Sequence, residues 1–259
     1  MTLQLSVKYG GFGPPVVLLH GLFGAGSNLA AIARSLQSEF EVFSLDLPSH
    51  GRSGWLEAPS LPGMADCLRQ WMDTQDMPGA QFVGHSLGGK VAMQLALRYP
   101  ERVSALVVAD IAPVAYTPHH DTIFAALEAV AVKNCRSREE ATGVMASYLE
   151  EPKVIQFLLG SLSRDAEGFY RWRFDLQGIS NAYSALLAAP EPHQSFSGPV
   201  LFVKGGDSDY IQDQHWPEIQ VLFPSASIKI MLGCSHWLHV ENPQLFNGLV
   251  SRFLKMHLN

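Results

Sequence analysis

Apolar positions along this chain follow two alternating rhythms. Short, nearly continuous apolar runs occur at Pro15–His20, Glu41–Asp46, Gly79–Val83, Arg102–Asp110, Pro199–Val203 and Ser227–Met231. Such runs suit strands buried on both faces, as in parallel sheets. Between them lie segments with helical spacing: Ser27–Leu36, with Ser27 or Asn28 placed as cap, then Leu61–Thr74, Lys90–Tyr99 and a closing helix near Pro243–Leu254. Met1–Tyr9 alternates like a strand. The alternation predicts a mostly parallel, doubly wound α/β sheet with right-handed crossovers. It breaks between Ala112 and Ser195, where Thr122–Lys133, Arg138–Leu149, Pro152–Leu162 and Ile179–Leu187 read as helices with no strand between them. Residues 112–195 are therefore expected to form a helical cap inserted into a core built from 1–111 and 196–259.

Composition narrows the function classes. With 259 residues, 47% hydrophobic and 16% charged, the chain can bury a sizeable core. A net charge of −6 with no basic block argues against nucleic acid or an anionic membrane surface as partner. No run approaches the ~20 apolar residues of a membrane span. The N-terminus lacks the charged-then-apolar order of a signal peptide. The three cysteines, Cys67, Cys135 and Cys234, have no metal-type spacing and read as reduced thiols of a cytoplasmic protein. A monomer or homodimer is expected.

Gly84-His-Ser-Leu-Gly88 sits between a predicted strand and a predicted helix. Gly-x-Ser-x-Gly in that setting gives a nucleophile elbow: the glycines let strand and helix backbones pass closely, and Ser86 projects from a tight turn. The helix beyond points main-chain N–H groups at any anion forming there. In open parallel sheets ligands bind at the carboxyl ends of the strands, where His20, Asp46, Ser86 and Asp110 all fall.

A serine nucleophile needs a base, and the base an orienting acid. His236, in Gly233-Cys-Ser-His236 after the last predicted strand, is placed to reach Ser86; His239 is its competitor. In the usual chain order the acid follows the penultimate strand. Here that stretch reads Lys204-Gly-Gly-Asp-Ser-Asp-Tyr-Ile211, with Ser208 in the slot and Asp207 and Asp209 flanking it. Asp110 closes an apolar run, where a lone carboxylate is costly unless paired. Asp110 is the favoured orienter, with Ser208 in the same network; Asp207 and Asp209 are the alternatives. The N–H groups of Leu22 and Leu87 are the expected oxyanion donors, and His20 braces the loop that carries Leu22. Phe23, Phe124, Phe157, Trp172, Tyr183 and Trp237 are candidate walls of a substrate pocket under the cap. The pair His119-His120 lacks the companions of a zinc site and reads as solvated cap loop. No metal or organic cofactor is required.

Together, His20-Gly-Leu-Phe-Gly24, Asp46-x-x-x-His-Gly-Arg-Ser53, the elbow and Gly233-x-x-His236 resemble the α/β-hydrolase superfamily along the whole chain. Gly84-His-Ser-Leu-Gly-Gly-Lys90, Asp110-Ile-Ala-Pro-Val114, Val154–Leu159, Trp172-Arg-Phe174 and Gly205-Gly-x-Ser208-x-Tyr-Ile211 look like the YbfF-type bacterial esterases, relatives of a mitochondrial abhydrolase. That branch is similar in placing its acid at the aspartate corresponding to Asp110, with a serine at the slot of Ser208. The resemblance implies the α/β-hydrolase fold and hydrolysis of small-molecule carboxylic esters through a serine acyl-enzyme, extending to acyl-CoA thioesters. A carbon–carbon bond hydrolase of the same fold, or a ligand receptor that has kept it, are the alternatives.

Overall fold

The apolar runs form one sheet in the computed structural model, which describes residues 3–258. In chain order the strands are β1 (Val7–Gly10), β2 (Pro15–Leu19), β3 (Glu41–Leu45), β4 (Ala80–His85), β5 (Val103–Ala109), β6 (Leu162–Arg164), β7 (Tyr170–Trp172), β8 (Val200–Gly205) and β9 (Ala226–Met231). Seven of them share a sheet in the order β1-β3-β2-β4-β5-β8-β9. Only β1 runs antiparallel to its neighbour. The sheet is mostly parallel and wound on both faces, as the alternation of apolar runs and helical segments predicts. Central β4 is buried at every position, as a strand covered on both sides must be. The expected N-terminal strand is shorter than its alternation suggests, and Met1 and Thr2 lie outside the described residues.

The helices are α1 (Ala30–Leu36), α2 (Leu61–Thr74), α3 (Leu87–Arg98), α4 (Asp121–Lys133), α5 (Arg138–Met145), α6 (Pro152–Leu159), α7 (Leu176–Asn181), α8 (Tyr183–Leu187), α9 (Trp216–Leu222), α10 (Leu238–Glu241) and α11 (Pro243–Met256). Helices α1 and α11 cover one face, packing Ile32, Leu36, Phe246 and Val250 on Val16, Leu18 and Val107. On the other face, α2 and α3 bury Leu68, Trp71, Val91 and Leu95 against Leu19, Phe82 and Leu106. That second core runs on into α4–α8, so these helices share buried contacts with the strand ends. Neither Ser27 nor Asn28 caps α1. A 3-10 turn over Gly26–Leu29 comes first, and Asn28 Oδ1 instead accepts the Ala25 N–H at 2.6 Å.

The segment between β5 and β8 is not purely helical. Strands β6 and β7 form an antiparallel hairpin, Leu162 opposite Trp172 and Arg164 opposite Tyr170. The turn is made by Asp165, whose Oδ1 accepts the N–H groups of Glu167 and Phe169 at 3.0 and 2.8 Å. Strands of three residues are too short for period-2 alternation to stand out. The stretch read as Ile179–Leu187 is likewise two short helices, α7 and α8.

Lys90 ties both ends of this segment to the elbow helix. It is buried, and its Nζ donates to the carbonyls of Val114 (2.9 Å), Leu187 (2.6 Å) and Ala188 (2.7 Å). Gln94, one turn on, exchanges two hydrogen bonds with the Glu191 main chain. Among the described residues no helix is long and apolar enough to cross a membrane.

Candidate active site

The elbow is built where β4 meets α3. A Cβ at Gly84 would lie 2.4 Å from the Gly88 carbonyl oxygen, and one at Gly88 would lie 2.2 Å from that of Leu19. Only glycine allows this approach. Ser86, between them, takes φ 53° and ψ −119°. A non-glycine residue in that region costs roughly 1–3 kcal/mol, which the packed strand and helix must offset. Asp110 (φ 51°) and Phe23 (φ 62°) also have positive φ, so three of the strained non-glycine residues cluster here.

Asp110 follows β5 and is fully buried. Its Oδ1 accepts the Gly205 N–H at 2.9 Å, and its Oδ2 accepts the Ser208 hydroxyl and His236 Nδ1–H, the latter at 2.8 Å. Three donors thus compensate a carboxylate removed from water. Asp207 and Asp209 are both exposed. The Nδ1 contact holds the proton of neutral His236 on Nδ1 and leaves Nε2 as an acceptor. Ser86 and His236 line a common cavity of about 70 Å³ with Gly21, Leu22, Phe157 and Trp237. A second, of about 30 Å³, brings Ser86 together with Leu22, Leu87, Tyr116, Tyr183 and Tyr210. Leu87 opens α3, and a first-turn amide has no partner inside its own helix.

Surrounding residues fix these groups. The Tyr210 ring stacks on His236 at 4.0 Å between centroids and 24° between planes. His85 Nε2–H donates to the His236 carbonyl at 2.9 Å, anchoring that loop to the elbow strand. Neither contact is signalled by spacing: His85 is the free position of the elbow motif, and Tyr210 stands in Gly205-Gly-x-Ser208-x-Tyr-Ile211 with no role that its position there reveals. His20 accepts the Leu47 N–H on Nε2 (2.9 Å) and donates from Nδ1 to the Gly21 carbonyl (2.8 Å), bracing the loop before Leu22. The Phe23 carbonyl accepts the Ser161 hydroxyl at 2.6 Å, fastening that loop to the segment above it.

Of the candidate pocket residues, Phe23, Phe157 and Trp237 line the first cavity and Tyr183 the second. Phe124 and Trp172 do not line either. Phe124 packs edge-on against Phe23 and Tyr183 in the core above the strand ends. The Trp172 indole donates to the Leu127 carbonyl at 2.9 Å and stacks on Phe174, so it is core as well. The expectation for His120 also fails: it lines both cavities rather than a solvated loop. His239, the rival base, lies buried in α10 beside His85, 4.4 Å between ring centroids.

The Alpha/beta hydrolase family profile matches residues 16–249. The chain belongs to the α/β-hydrolase family. It is 36% identical to the esterase YbfF of Escherichia coli over 93% of this chain and 92% of that protein. It is 35% identical to the mouse sn-1-specific diacylglycerol lipase over 93% of this chain and 81% of the lipase. Among solved structures, a marine microorganism esterase superposes with a TM-score of 0.94 at 33% identity, covering 97% of this chain and 99% of its own.

Several histidines of this α/β-hydrolase are held neutral by burial. Desolvation lowers His20, His120 and His239 to about 4 and His50 to about 3, and takes His85 well below its usual value. The unfolded chain therefore binds more protons than the folded one between pH 6.5 and about 4. Stability is complete above that window and lost as pH falls through it, each histidine contributing up to ~1.4 kcal/mol per pH unit. Urea midpoints should drop steeply from about pH 7 to about pH 5; a flat profile would show that these rings are not held neutral by the fold.

Proposed function

We propose that the protein is a serine carboxylester hydrolase working through an acyl-enzyme on Ser86. The observation that carries this reading is the His236–Asp110 contact of 2.8 Å beside a cavity shared by Ser86 and His236. Relatives bearing the names esterase and lipase, aligned over nearly all of this chain, support it. In the first half-reaction His236 Nε2 takes the Ser86 proton as Oγ attacks the ester carbonyl. The N–H groups of Leu22 and Leu87 receive the oxyanion, each such donor being worth ~3 kcal/mol of transition-state stabilisation. His236 then gives the proton to the departing alcohol. Water activated by the same ring breaks the acyl-enzyme and frees the acid. Asp110 keeps the proton of neutral His236 on Nδ1 and stabilises the imidazolium when it forms, while Ser208 and Gly205 hold the carboxylate.

The substrates in this reading are esters of small to medium acyl groups and, by extension, acyl-CoA thioesters. The cavities beside Ser86 are small, about 70 and 30 Å³. A cavity of about 660 Å³ adjoins the first of them, sharing Gly21, His85, Phe157 and Trp237 and extending to Lys153 and Gln156. The acyl group belongs in the small space and a bulky leaving group in the large one. Buried, unpaired Cys67, Cys135 and Cys234 fit a reducing compartment such as the cytoplasm. Hydrolysis of p-nitrophenyl acetate through decanoate, with short-chain acyl-CoA thioesters in parallel, tests the assignment. Turnover should peak among short and medium chains and fall toward decanoate. Inertness on every ester would overturn the reading and favour carbon–carbon bond hydrolysis or ligand binding.

A further inference from the structure

His120 immediately precedes α4 and lines both small cavities. It faces Ser86 and His236 in one, Leu22, Leu87 and Tyr183 in the other. The ring is held from three sides. His119 packs on it at 4.1 Å between centroids, Phe23 meets it edge-on at 6.4 Å, and its Nδ1 hydrogen-bonds to the Tyr183 hydroxyl. His119 is itself fixed, its Nε2 bonded to the Tyr210 hydroxyl at 2.8 Å and its Nδ1 to the Thr117 carbonyl at 2.8 Å.

The Tyr183 contact decides where the His120 proton sits. Burial raises the Tyr183 pKa, so the phenol keeps its hydrogen. Main-chain N–H groups of His119 and His120 approach its oxygen as donors, and among the described residues His120 Nδ1 is the acceptor that its hydrogen meets. Were Nδ1 to carry a proton and donate it, the phenolic hydrogen would be left without an acceptor, at a cost of ~1–3 kcal/mol. The arrangement that satisfies both groups has Tyr183 donating to Nδ1, which places the His120 proton on Nε2. That nitrogen has no partner among the described residues, while the ring borders the space beside the nucleophile. Desolvation holds the imidazole neutral, so what it offers is an uncharged N–H donor suited to neutral oxygen acceptors.

We propose that His120 is a specificity-determining residue whose Nε2–H donates to an oxygen carried by the acyl group a few bonds from the scissile carbonyl. The enzyme then favours short alkoxy- or oxo-acyl esters over alkyl esters of the same length. This rests on the reading of Ser86 as acyl acceptor. The acyl side is assigned because His120 lines the two small cavities together with Ser86 and Leu22, and with Leu87 in the second. The large cavity beyond Phe157 and Trp237 does not have His120 in its lining. The small cavities offer about the room of a few water molecules, enough for a short chain bearing one polar atom.

The test compares p-nitrophenyl methoxyacetate with p-nitrophenyl butyrate, in which an ether oxygen takes the place of one methylene. The readout is the kcat/KM ratio of the two esters in each variant relative to the ratio in wild type, so the greater intrinsic reactivity of methoxyacetate cancels. His120→Phe should lower that ratio about ten-fold, the worth of one hydrogen bond. Tyr183→Phe, which releases the tautomer, should lower it less. His120→Gln, which keeps an N–H donor, should retain most of it. An unchanged ratio in His120→Phe and Tyr183→Phe, whatever their absolute rates, would overturn the proposal. So would loss of the ratio in His120→Gln equal to that in His120→Phe. Ser86→Ala in the same assay separates the levels: if it still turns over both esters, the acyl-enzyme reading fails, independently of what the ratio shows.

Discussion

Replacing Ser86 with alanine is expected to lower kcat by about 10⁶-fold on any ester the protein hydrolyses, with little change in KM. The magnitude follows the loss seen when the nucleophile of a serine protease is removed. Here the reasons are local. The serine sits at φ 53° in a turn that Gly84 and Gly88 make possible by close backbone approach. The strain is already borne by the surrounding strand and helix, so alanine should keep the turn, the α3 amides and the cavity walls. Substrate would still bind, and only the attacking oxygen would be gone. Steady-state kinetics on the best p-nitrophenyl ester, with circular dichroism to verify folding, reads this directly. A kcat within ten-fold of wild type would mean that another group attacks the carbonyl.

Asp110→Asn is expected to cost about 10⁴-fold in kcat, as when the acid of a serine protease triad becomes an amide. The carboxylate accepts from Gly205, Ser208 and His236, with no solvent exposure. An amide has one oxygen to offer three donors, so its NH₂ group must face at least one of them. If it faces His236 Nδ1, the imidazole shifts its proton to Nε2 and can no longer accept from Ser86. Asp207→Asn and Asp209→Asn should each change kcat less than about two-fold, since both side chains are exposed and neither contacts His236. An active Asp110→Asn with an inactive Asp207→Asn or Asp209→Asn would move the acid to the turn after β8.

Much of this arrangement is legible in the sequence because the sheet is buried on both faces. Continuous apolar runs give β2, β3, β5, β8 and β9 to within one or two residues, and chemistry-bearing side chains fall at their carboxyl ends. The start of α3 is harder to place: Gly88 and Gly89 have poor helix propensity, so the pattern becomes visible only at Lys90 although the helix opens at Leu87. The β6–β7 hairpin, and α9 with Pro217 in its first turn, are too short to show a period. Side-chain partnerships across long separations are harder still. Nothing local reveals that Tyr210 covers His236, that His85 grips its main chain, or that Trp172 turns its indole to Leu127 rather than to a ligand. His119-His120 looks like any polar loop dipeptide until the fold brings Tyr183 and Tyr210 to it. Tertiary contacts decide such cases, and one chain read alone carries no record of them.

The most direct test of the central claim is to trap the acyl-accepting residue. The protein would be incubated with a fluorophosphonate and its intact mass and peptide masses measured, with p-nitrophenyl ester turnover followed in parallel. A single adduct on the peptide containing Ser86, forming in step with loss of turnover and much more slowly in His236→Ala, is the predicted result. An adduct on another residue, or full labelling of Ser86 with ester turnover unaffected, would contradict the account.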